Sequence, residues 1–204
     1  MLYLMRHAQS EANRQRIMAS CLAFPLSEAG HADALRIANE FFQEHSLDMI
    51  VTSPLVRAYQ TAEPFGQLFK LPIYSDDRLK EQDQGIYSGK SYDQVKVMPS
   101  YETRTLARWN WTPEGGESYS MVADRVVQFF SDYSSQFIDK NALLVTHAVA
   151  FRMIRGALQN TLPIYEEGFP NNGEIWMVDF QGLGSVHKIS SLFYGDSRNF
   201  VHKP

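Results

Sequence analysis

The chain has a single cysteine, Cys21, in 204 residues, so it can form no internal disulfide and no cysteine-built zinc site. No apolar run approaches the roughly 18 residues of a membrane helix, so no membrane partner is expected. Basic residues are not in excess. The formal net charge is -4 and the isoelectric point about 5.9, which argues against a general nucleic-acid binder. Neither the glycine fingerprint of a dinucleotide-binding fold nor a P-loop is present. Internal repeats, low-complexity tracts and linkers rich in glycine, proline or serine are also missing. The opening Met1-Leu2-Tyr3-Leu4-Met5-Arg6 meets a charge too soon for a signal peptide, so a reducing cytoplasm is the expected location.

Hydrophobic residues make up 44% and charged residues 21% of the chain, close to globular averages. A chain of this length buries about 70% of its unfolded surface without staples. One domain over residues 1–204 is expected. Leu2 to Met5 reads as a buried strand ending at Arg6-His7. Ser27 caps a helix to about His45, with Leu35, Ala38, Phe41 and Phe42 on one face. Asp48 to Thr52 is a second strand. Ser53-Pro54 then reads as an N-cap with proline at the first helical position, and the helix that follows carries Arg57 and kinks or ends near Pro64.

A short strand is expected over Ile73 to Ser75. The stretch from about 78 to 117 reads as an irregular segment capping the site, with Ser91 and Gln94 as a capping box within it. A helix follows from Ser118 to about Phe137, striped by Val122, Val126, Phe129 and Phe130. Ala142 to Thr146 is a buried strand ending at His147. Ile175 to Phe180 and Val186 to Phe193 form a terminal hairpin across Gln181 to Gly184, and a loose polar tail is expected from Asp196 to Pro204. Strands alternating with helices predict a three-layer α/β/α sandwich with a mostly parallel central sheet and at least one antiparallel strand.

Open α/β sheets bind ligands beyond the carboxyl ends of their strands. His7 and His147 both occupy such positions. Arg6 adjoins the first, and Arg57 lies near the positive end of the helix after the second strand. Taken singly, each has a plain structural reading. If they converge, two arginines and two histidines with no metal-ligand set around them suit a phosphoryl group, whose oxygens arginine forks match.

Leu4-Met5-Arg6-His7-Ala8-Gln9-Ser10-Glu11-Ala12-Asn13 resembles the signature of the histidine phosphatase superfamily, the phosphoglycerate-mutase-like proteins. Ser53 to Ala62 around Arg57, Leu79 to Gly85 around Glu81, Gly116-Glu117-Ser118 with Arg125, and Leu144 to Ala148 around His147 continue the resemblance in the family's order, with a weaker echo at Pro170-Asn171-Asn172. The resemblance implies that His7 is the nucleophile and forms a phosphohistidine. It implies that Glu81 is the proton donor, and that Arg6, Arg57, His147 and Asn13 hold the phosphate, together with Ser10 and Ala148. No metal or other cofactor is implied. Ala8 and Ala148 stand where the family usually has glycine, and Ala23 where many members have aspartate. A positive φ at Ala8 would strain its loop by about 1 kcal/mol.

Lys90 to Glu114 is short and holds only Arg104 and Arg108, whereas the family's mutases carry a longer, arginine-rich insertion there. A phosphomonoesterase acting on a small phosphorylated metabolite is therefore expected. Phosphoglycerate-mutase-type phosphoryl transfer is the alternative, ahead of a non-catalytic phosphate-binding module. Tyr87, Tyr92, Tyr101, Trp109 and Trp111 suggest an aromatic site mouth, unless Trp109 and Trp111 simply pack this segment onto the sheet.

Overall fold

The protein is described by a computed structural model over residues 1–100 and 107–193. The tail from Asp196, Tyr101 and Arg104 lie outside the described residues. Six strands form one sheet: β1 (Leu2–Arg6), β2 (Met49–Thr52), β3 (Ile73–Ser75), β4 (Ala142–Thr146), β5 (Ile175–Val178) and β6 (Ile189–Phe193), in the order β3-β2-β4-β1-β5-β6. The pairs β3–β2, β2–β4 and β4–β1 are parallel. β5 is antiparallel to both its neighbours. Among the described residues, no helix is long and apolar enough to cross a membrane.

Side chains alternate across a strand with a period of two, and here both sets are buried. Leu2, Leu4, Val51, Ala142 and Leu144 face one core. Tyr3, Met5, Ile50, Leu143 and Val145 face the other. Helices α2 (Glu28–Glu44) and α3 (Val56–Phe69) close the second core through Ile37, Ala38, Phe41, Ala58, Ala62 and Phe65. Helices α5 (Tyr119–Asp139) and α6 (Ala148–Leu158) close the first. The expected three layers are present. Val122, Val126, Phe129 and Phe130 of α5 are fully buried, each contributing about 1.5–3 kcal/mol.

Several sequence expectations need correction. On α2 the buried face runs through Ala34, Ile37, Ala38 and Phe41, whereas Leu35 and Phe42 are exposed. Ser53 does not cap α3. Its Oγ accepts from the Leu55 amide, and the helix begins only at Val56 with Leu55 as N-cap, which places Arg57 in its first turn. Nor does α3 stop or end at Pro64. It runs on to Phe69, because the missing amide costs one helical bond while the buried Phe65 anchors the turn beyond it. The hairpin strands are shorter than expected. The segment after His147, given no element in the sequence reading, is α6.

Ser27 caps α2, its Oγ accepting from the Gly30 amide. A Cβ on Gly30 would stand 1.9 Å from the carbonyl oxygen of Gln9, so only glycine lets α2 press directly on the loop that follows His7. Two shorter α-helices and two 3-10 turns, Asp77–Leu79 and Gly85–Tyr87, complete the described structure. α1 (Glu11–Gln15) follows that loop, and α4 (Tyr92–Lys96) starts at the expected Ser91–Gln94 capping box.

Candidate active site

β1 and β4 are parallel neighbours, with Arg6 opposite Thr146. The pairing extends one step further, the His7 amide donating to the Thr146 carbonyl at 3.0 Å. Beyond it the chain leaves β1 toward the α2–α3 face and leaves β4 toward the α5–α6 face, opening a crevice at the strand ends. His7 and His147 meet there with ring centroids 5.0 Å apart.

His7 is 4% exposed, and its Nδ1 lies 2.7 Å from the carbonyl oxygen of Ala8. A carbonyl can only accept, so Nδ1 carries the proton and Nε2 keeps its lone pair. Burial, then Arg57 and Arg6, hold this histidine well below its usual range. His147 is fully buried and is also held well below its usual range, by burial first and then by Arg57 and His7. Its Nε2 is 2.7 Å from Ser53 Oγ, and its Nδ1 has no partner among the described residues.

Arg57 is 1% exposed. Its Nη1 and Nη2 donate to the carbonyls of Leu22 and Ser20 at 3.0 and 2.7 Å. Arg6 donates from Nη1 to the Pro170 carbonyl at 2.7 Å. The Nε of each arginine is buried and has no partner among the described residues. Burial weighs against both guanidinium charges, and Glu81 is the chief group countering it. Glu81 comes from the segment after β3. Its Oε1 accepts from the amides of Gln82 and Val149, both at 3.0 Å. Val149 lies in the first turn of α6, whose amides have no acceptor within the helix.

The remaining expected contacts divide. Ser10 caps α1, its hydroxyl donating to Asn13 Oδ1 and accepting from the Asn13 amide, so the hydroxyl is committed to a capping box. Asn13 Oδ1 also accepts from Asn172, which leaves the Asn13 amide group as a donor. Ala148 is the first residue of α6 and is half-buried. Ala8 is not among the residues with positive φ, so alanine is unstrained there. Ala23 is exposed.

Among the described aromatic residues of the segment, Tyr87, Trp109 and Trp111 pack away from the crevice. Tyr87 is fully buried against Met18, Val95 and Trp111, and Trp109 packs on the α5–α6 core, stacked on Tyr165. Packing against the rest of the fold accounts for these rings. Tyr92 is exposed.

Two residues behind the site escaped the sequence reading. Asn172 Nδ2 donates to the His7 carbonyl at 3.0 Å and to Asn13 Oδ1 at 3.2 Å. Glu174, 1% exposed, accepts from the Asn171 amide and from Trp176 Nε1, while its carbonyl takes the Arg6 amide. The only signal for either was the Pro170-Asn171-Asn172 echo.

Residues 2–186 match the family model of the histidine phosphatase superfamily (branch 1), and the chain belongs to that family. It is 35% identical over 162 residues to phosphoserine phosphatase 1 of Hydrogenobacter thermophilus, covering 77% of this chain and 75% of that protein. It is 30% identical over 165 residues to glucosyl-3-phosphoglycerate phosphatase of Mycolicibacterium vanbaalenii, covering 77% and 73%. Among solved structures, a mycobacterial glucosyl-3-phosphoglycerate phosphatase complexed with VO3 superposes with a TM-score of 0.82 at 26% identity, over 93% of this chain and 96% of that one.

Proposed function

We propose that this chain hydrolyses small phosphomonoesters through a phosphohistidine on His7, and that residues 1–204 act as one cytoplasmic domain. The observation that carries the reading is the buried His7, whose Nδ1–H is tied to Ala8 and whose ring is held neutral by burial and the charges of Arg57 and Arg6, each arginine keeping a buried Nε with no partner among the described residues. The phosphatases among its relatives support the reading.

In the first step Nε2 forms a bond to phosphorus as the ester P–O bond breaks. Glu81 gives its proton to the leaving oxygen, releasing the alcohol. Because Oε1 already accepts two amides, the transferable proton sits on Oε2. In the second step the Glu81 carboxylate takes a proton from water. The water oxygen bonds to phosphorus, the P–N bond breaks, and phosphate leaves with His7 restored. Arg6, Arg57, His147 and the Asn13 amide hold the equatorial oxygens through both steps.

The test is hydrolysis of para-nitrophenyl phosphate in EDTA by the unmodified chain and by His7→Ala. Turnover in EDTA that His7→Ala abolishes is expected, with phosphate on His7 seen by mass spectrometry after rapid quenching. Turnover that survives the substitution, or that needs an added divalent metal, overturns the reading.

A further inference from the structure

The stretch that bears Glu81 pairs with no strand, yet the carbonyls leading to it are engaged by side chains. The Arg125 guanidinium on α5 supplies most of them. Its Nη1 donates to the carbonyls of Arg78 at 2.6 Å and Lys80 at 2.8 Å, and its Nη2 to the carbonyl of Glu81 itself at 3.1 Å. Thr146 Oγ1 takes the carbonyl between them, that of Leu79, at 2.8 Å. The other edge of the guanidinium forks onto Glu117, Nε to Oε1 at 3.0 Å and Nη2 to Oε2 at 3.1 Å. Glu117 in turn holds the chain just past Glu81. Its Oε2 accepts from the Asp83 amide at 2.9 Å and its carbonyl from Gln82 Nε2 at 2.6 Å.

Unpaired backbone groups away from water are costly, and here one ion pair serves them on both sides of a single residue. We infer that Arg125, paired with Glu117, is a positioning residue that fixes the backbone of Glu81 and thereby the direction from which its carboxyl delivers a proton. Arg125 touches neither the phosphate cradle nor the two histidine rings by hydrogen bond. Its fork geometry is essential: a lysine ammonium has one nitrogen and cannot span Glu117 and three carbonyls at once. The inference rests on the reading of Glu81 as the proton donor.

Proton donation matters for a poor leaving group and little for a good one, so leaving-group dependence reads the position of the acid. kcat/KM, which reports the step that expels the leaving group, is compared on para-nitrophenyl phosphate and on an alkyl phosphate such as glycerol 2-phosphate for Arg125→Lys, Glu117→Gln, Glu81→Gln and the Arg125→Lys/Glu81→Gln double variant. Arg125→Lys is expected to lose of order a hundredfold on the alkyl ester and only a few-fold on the aryl ester. Inhibition by inorganic phosphate should stay within about threefold, and the double variant should be no slower on the alkyl ester than Glu81→Gln alone. Glu117→Gln, which keeps Arg125 in place, should show the same selectivity at smaller amplitude, and it stands as the test if Arg125→Lys does not fold. Equal loss on both esters in a folded variant, or a loss additive with Glu81→Gln, overturns the inference. Equal loss on both esters in Glu81→Gln itself overturns instead the assignment of the proton donor.

Discussion

The hydroxyl of Ser53, just past β2, lies 2.7 Å from Nε2 of His147, just past β4. The same oxygen accepts from the Leu55 amide at 3.2 Å, so one side chain fixes both a turn and the tilt of a site histidine. Ser53→Ala leaves buried groups without partners, a loss of about 1–3 kcal/mol. Thermal melting should show it, together with a fall in kcat/KM of about tenfold, equivalent to 1.4 kcal/mol of transition-state stabilisation. Unchanged melting and kinetics would remove Ser53 from the site's support.

Asn172 contributes hydrogen rather than oxygen to the floor of the site. Its Nδ2 faces the carbonyl oxygen of His7 and the Oδ1 of Asn13. Asn172→Ala leaves those acceptors short of a donor, at about 1–3 kcal/mol. Asn172→Asp is expected to be worse, because it sets a carboxylate against two oxygens and brings a negative charge that favours the protonated, non-nucleophilic form of His7. Ranked by kcat/KM, asparagine should exceed alanine and alanine should exceed aspartate. An aspartate variant as active as alanine contradicts this account.

Stability should weaken in mild acid. Both His7 and His147 are held well below the usual histidine range by burial, with Arg57 the next cause. Once unfolded, each titrates near 6.5. Below that value, and above the depressed folded values, the unfolded chain binds protons that the native chain refuses. Stability is therefore full above about pH 7.5 and falls as pH drops through 6.5, by up to about 1.4 kcal/mol per pH unit for each histidine. Urea midpoints across this range test the sign. His147→Asn should give a shallower decline than the unmodified chain, and an equal slope would show that His147 takes no part in it.

Much of the sandwich was legible because β1, β2 and β4 are continuous apolar runs buried on both faces, and α5 carries a clear stripe of buried residues. His7 and His147 were legible for the same reason, standing where such runs end. α6 was not, although Arg152 and Arg155 punctuate its buried run of Val149, Ala150, Phe151, Met153 and Ile154 and give it a helical period; that signal was present and went unread. Ser53 was misread because a serine before a proline carries a strong helix-start signal, while its bond to His147 spans 94 positions. Asn172 reaches the site from 165 positions beyond His7, and the weak Pro170-Asn171-Asn172 echo was the one local sign of such a return. The tryptophans were visible as large apolar groups, but composition does not say whether a ring turns toward a crevice or toward the core.

The two halves of the crevice are fastened by different means. The His7 amide belongs to the ladder between β1 and β4, so exposing it to solvent requires the central sheet to come apart. The Gln82 and Asp83 amides beside Glu81 hang instead on the side-chain carboxylates of Glu81 and Glu117, which can let go one at a time. In deuterium exchange the nucleophile should therefore report the global unfolding of the molecule and the acid segment its own local opening, within a site only a few side chains across.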